Sequence, residues 1–72
     1  MTMRETLDRS LEAVAADALR GCTSEADLDE AWDYHRTMFD EDSAERMRAY
    51  RLYLDLKVEM HNAERAARML RV

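Results

Sequence analysis

Residues 43–70 read SAERMRAYRLYLDLKVEMHNAERAARML, a run of 28 residues without a glycine or a proline. Nothing in it breaks a helix, and Ala, Leu, Met, Arg and Glu, which dominate it, are strong helix formers. As one helix it spans about 40 Å at 1.5 Å per residue. It carries two apolar rows. Ala49, Tyr53, Leu56, Met60, Ala63, Ala67 and Leu70 alternate in steps of four and three, the spacing of a coiled-coil seam. Met47, Tyr50, Leu54, Val58 and His61 form a second row, centred roughly on the opposite side of the helix. Tyr50 and Tyr53 therefore point in different directions, and one of them is expected as an exposed interface anchor.

The two segments ahead of this run are shorter. Thr2-Met3-Arg4-Glu5 has the form of a capping box, and Met3, Leu7, Leu11, Val14 and Ala18 recur on one face behind it, predicting a helix over 3–20. Gly21 is expected to end that helix in the left-handed conformation. Thr23 and Ser24 then cap a helix predicted over 25–39, with Glu25 and Asp27 at its positive end. Its apolar face is Leu28, Ala31, Trp32, His35, Met38 and Phe39. Asp42, followed by Glu45, is expected to cap the third helix, over 43–70. At about 27 Å and 22 Å, the first two helices are too short to cover the third. Either each apolar row of the long helix receives one short helix, or one row is a homodimer seam. The row continues through Ala63, Ala67 and Leu70, beyond the reach of the short helices, and this favours a homodimer seam of Tyr53, Leu56, Met60, Ala63, Ala67 and Leu70.

Composition agrees with an all-α class: 72 residues hold 11 Ala, 8 Leu and 6 Met, but no Ile, no Pro, three Val and one Gly. Sheets need the β-branched and turn-forming residues that are scarce here. The expected architecture is one helical domain of two short helices and a long C-terminal helix. The chain buries too little surface for a multidomain enzyme. Net charge is −5, which disfavours direct nucleic-acid and membrane binding. The charge is uneven: residues 1–42 hold 12 acids and 4 bases (−8), and residues 43–72 hold 4 acids and 7 bases (+3). The halves are expected to neutralise each other locally. A lone Cys22 fits a reducing compartment, and no apolar run approaches the roughly 20 residues of a membrane span, so a cytoplasmic protein is expected.

Catalytic chemistry finds little support. His35 and His61 stand 26 residues apart with no ligand motif around them, and His35, three residues from Trp32, reads as an interface residue. Cys22 lacks a neighbouring base, and no glycine-rich phosphate loop is present. No enzyme, metal or cofactor is expected. Arg46, Arg48 and Arg51 scatter around the helix and are expected to pair with acids of the second helix. The more suggestive feature runs from Glu25 to Asp42, with eight acids against the single base Arg36. Asp29, Asp33, Arg36 and Asp40 fall in one stripe. Repulsion between Asp29 and Asp33 costs a few tenths of a kcal/mol, so the stripe is read as a candidate surface for a partner with basic groups.

The segment from Cys22-Thr23-Ser24 to Met60 resembles a helical-hairpin pattern of small phage-encoded, recombination-associated accessory proteins. The matching parts are the Thr/Ser cap, Leu28, Trp32-x-x-His35, the acidic turn, Ala49-Tyr50 and Lys57-x-Glu59-Met60. Cys22 six residues before Leu28, together with the similar total length, gives a fainter resemblance to the Hha/YmoA family, helical modulators of a DNA-silencing protein. The first resemblance implies a non-enzymatic phage or mobile-element protein that inhibits or modulates a host complex by stoichiometric binding. The second implies a modulator that reaches DNA only through its partner; a structural assembly module is the remaining alternative.

Overall fold

The computed structural model describes residues 3–70, and residues 3–6, 8 and 70 only by their place in helices. The described chain is all-helical. α1 spans Met3–Arg20, α2 Glu25–His35 and α3 Ala44–Leu70, with a short 3-10 turn at Arg36–Met38 between α2 and α3. The Thr2 capping box lies outside the described residues.

α2 starts as its sequence dictates. Ser24 is extended (φ −143°, ψ 161°), and its Oγ accepts from the Asp27 amide at 3.1 Å. The helix stops four residues earlier than the periodicity predicts. Arg36 closes it by donating to the Trp32 carbonyl, the chain tightens into the 3-10 turn, and Phe39 turns extended (φ −99°, ψ 153°). The extended Phe39 is buried in the core, which a continued helix would not achieve at that register. α3 is capped by Ser43 rather than Asp42: Ser43 Oγ accepts from the Arg46 amide at 3.1 Å. Gly21 also differs from expectation. No described residue has a positive φ, and the Gly21 amide continues the helix pattern by donating to the Asp17 carbonyl at 3.1 Å.

The three helices run up, down and up. The pairs Trp32–Tyr50 and Asp29–Lys57 set α2 antiparallel to α3, while Glu12 beside Arg48 ties α1 to α3. Ala15 and Leu19 of α1, Leu28 and Trp32 of α2, Phe39, and Ala49 and Tyr53 of α3 make the core. Leu11, Cys22, Ala31, Leu52, Leu56 and Met60 pack against it. Leu19 and Leu28 are fully buried, each stabilising the fold by about 1.5–3 kcal/mol relative to an exposed side chain.

Both short helices take the same row of α3. The turn from Gly21 to Ser24 is short enough to hold α1 and α2 as neighbours, so they sit together on the Ala49–Tyr53–Leu56–Met60 side. The opposite row receives neither. α3 also outruns its partners: every side chain from 61 to 69 is exposed. This overhang makes the molecule a rod of 56 × 17 × 16 Å.

Candidate interaction surfaces

The acids of α2 have two different fates. Asp29 is engaged within the chain. Tyr53 donates its hydroxyl hydrogen to Asp29 Oδ1, and Lys57 Nζ donates to the same oxygen at 2.9 Å and to Tyr53 Oη at 3.3 Å. The Tyr53 and Lys57 hydrogen bonds hold the Asp29 carboxyl below its ordinary range. In return, Asp29 raises the Tyr53 hydroxyl, and it pushes the Lys57 ammonium up to about 12. Asp29 is thus a brace between α2 and α3. Its fixed position orders the aromatic stack beneath, in which the Trp32 ring lies 5.6 Å from Tyr53 and 5.3 Å from Tyr50. Arg46 lies over the Trp32 ring at 5.9 Å.

Asp33 and Asp40 are exposed, and Asp33 meets Arg36 at 3.3 Å one turn on. Asp27, Glu30 and Tyr34 stand beside them on the outer side of α2, with Tyr34 63 % exposed and Met38 following it. Tyr34 is edge-on to His35, ring centroids 5.1 Å apart. This outer face was readable from spacing. Asp27, Glu30 and Tyr34 fall roughly opposite Leu28 and Trp32 at 100° per residue, but the stripe reading followed Asp29 instead.

The expected seam residues divide along α3. Tyr53 is buried in the chain's own core and Leu56 and Met60 pack against it, while Ala63 and Ala67 are exposed on the overhang. The side chain of Leu70 is not among those described. The second row stands open instead: Met47 is 69 % exposed, Tyr50 45 %, Leu54 41 % and Val58 58 %, with His61 exposed at its end. Of the two tyrosines that face different ways, Tyr50 is the exposed one.

The basic residues are not a joint surface. Arg48 makes a forked contact to Glu12 of α1 (2.6 and 3.1 Å) and reaches Glu45 at 3.6 Å, so its partners lie on α1 and α3 rather than on α2. The Glu12 carboxylate raises the Arg48 guanidinium further. Arg51 is exposed on the far side. Near the overhang, Glu25, His61, Glu64, Arg65 and Arg68 line an open groove of about 460 Å³.

Cys22 donates its thiol hydrogen to the Ala18 carbonyl at 3.2 Å, and burial, then the charge of Asp27, pushes its pKa up. That environment disfavours the thiolate, the reactive form. Among the described residues no three His, Cys, Asp or Glu side chains converge as metal ligands, and no helix is long and apolar enough to cross a membrane. Comparison of the chain with family models, curated proteins and solved structures finds no match.

Proposed function

We propose that the chain is a non-enzymatic protein-binding module that acts stoichiometrically, inhibiting or modulating a larger host complex by covering a basic groove. This is the accessory role that the hairpin resemblance implies for a phage or mobile-element protein. The observation that carries it is the outer face of α2: Tyr34 is 63 % exposed, with the exposed acids Asp27, Glu30 and Asp33 around it. An exposed aromatic supplies contact area at low entropic cost, and the surrounding charge speeds encounter with a basic partner. Packing of α2 against α3 through Trp32, Tyr50 and Tyr53 keeps that face rigid, so little ordering cost falls on binding. The test is affinity capture from host lysate with two baits, the wild-type chain and a variant carrying Asp27→Lys, Glu30→Lys, Asp33→Lys and Tyr34→Ala. All four positions are exposed, so the fold should persist in the variant. A partner with a basic surface held by the wild type and lost from the variant supports the reading. Identical capture by both baits refutes it.

A further inference from the structure

The open row of α3 has a property that a foreign partner does not require. Met47 and His61 lie seven residues to either side of Leu54, and Tyr50 and Val58 lie four to either side. The row is thus symmetric about Leu54. A two-fold interface brings each surface against itself, residue i on j and j on i, and it needs such a spacing. We propose that the outer face of α3 binds a second copy of this chain, antiparallel, with the two-fold axis passing at Leu54.

The charges outside the row fit the same register. Arg65 and Arg68 are eleven and fourteen residues beyond Leu54, exposed on the overhang; Glu41 and Asp42 are thirteen and twelve before it, exposed in the turn that precedes α3. Antiparallel pairing about Leu54 lays the basic overhang of each copy over the acidic turn of the other. Arg51 and Asp55 sit three residues before and one after the axis, both exposed on the flank away from Lys57 and α2. Flank meets like flank in this arrangement, so each Arg51 faces the second copy's Asp55. Four exposed apolar side chains per copy form the centre, and charge pairs at both ends extend the contact along the whole helix of about 40 Å. That length brings the pair toward the roughly 1,000 Å² a specific interface needs. The overhang thereby gains a counterpart, since its arginines have no printed ion pair within the chain. The outer face of α2 stays open, so this pairing and the proposed partner site stand or fall separately.

Sedimentation equilibrium tests the pairing. The expected mass is twice the 8.5 kDa of one chain. Leu54→Lys, which places two ammonium groups on the axis, should weaken association at least ten-fold with unchanged far-UV circular dichroism. Val58→Lys, at a 58 % exposed position, should do the same and covers the case in which the first variant fails to fold. Combined Arg65→Glu and Arg68→Glu should also weaken it, and adding Glu41→Lys and Asp42→Lys should restore it. Register is read by disulfide formation in a Cys22→Ser background. Leu54→Cys should cross-link to itself, whereas Met47→Cys and His61→Cys should cross-link only when mixed. A single-chain mass at every concentration, association that survives both lysine variants, or efficient self-linking of Met47→Cys would each overturn the proposal.

Discussion

Replacing Gly21 by alanine separates two backbone states with opposite signs. Gly21 is the chain's only glycine and follows the last residue of α1, where a left-handed residue commonly terminates a helix. The structure instead gives it a negative φ and a helical hydrogen bond to the Asp17 carbonyl. A Cβ built there would meet Asp17 O at 3.4 Å and Ala18 O at 3.6 Å, ordinary contact distances, and the position is exposed. Alanine therefore loses nothing in the folded state and restricts the unfolded chain, a gain of about 0.5–1 kcal/mol. For a domain of this size that raises the melting temperature by about 2–8 °C. In the left-handed state the same change would cost about 1–2 kcal/mol and lower it. Thermal unfolding followed by far-UV circular dichroism, at one fixed protein concentration, reads the sign directly. Gly21→Pro provides the internal control, because it deletes the amide that donates to Asp17 and should destabilise by about 3 kcal/mol. A melting temperature that falls in Gly21→Ala refutes the helical assignment of this turn.

The Asp29–Tyr53–Lys57 brace predicts a stability profile with two shoulders. Asp29 is depressed below 3.8, so its contribution is complete above that pH and is lost as pH falls through the lower folded value. Lys57 is raised from 10.5 to about 12, so its contribution is complete below 10.5 and vanishes as pH rises through about 12. Urea midpoints of the wild type and Lys57→Met should converge across that alkaline window, and curves that stay parallel up to pH 12 would remove the lysine from the brace. Leu28→Ala empties a fully buried position at the α1–α2–α3 junction and should cost about 2–5 kcal/mol. A chain of this length holds only about 4–11 kcal/mol in all, so the variant should be partly unfolded at room temperature, visible as lost cooperativity in the melt.

The three helices and the core side of α2 follow from periodicity and caps, because Ser24, Leu28 and Trp32 answer to local rules. Ser43 in place of Asp42 as cap is a one-residue difference between two residues that cap equally well. The early end of α2 depends on the Phe39 ring reaching the core, a tertiary gain that no helical period encodes. The two rows of α3 posed the hardest choice. Each has helical spacing, and a wheel cannot tell which one the short helices will occupy. The Gly21–Ser24 turn decides, by keeping α1 and α2 side by side, and that decision converts Leu54 and Val58 from expected core into surface. Asp29 was misplaced for a related reason: its partners Tyr53 and Lys57 are 24 and 28 residues away, where charge patterning along one helix carries no information.

The overhang of α3 needs no nucleation of its own. Residues 44–60 are already held helical by the bundle, so each residue beyond only has to propagate a formed helix, a step near balance for Ala, Glu, Arg and Met. Opening must therefore be graded along one continuous helix. Amide protons near Ala49 and Tyr53 should exchange only when the whole domain unfolds, and those from 61 to 69 progressively sooner toward the end. Arg65 and Arg68 lie in the fast-opening part, so a trypsin-like protease would trim them while Trp32, Leu19 and Leu28 stay packed. A single cut would leave a folded bundle stripped of its basic end, with the acidic turn unchanged and the net charge driven further negative.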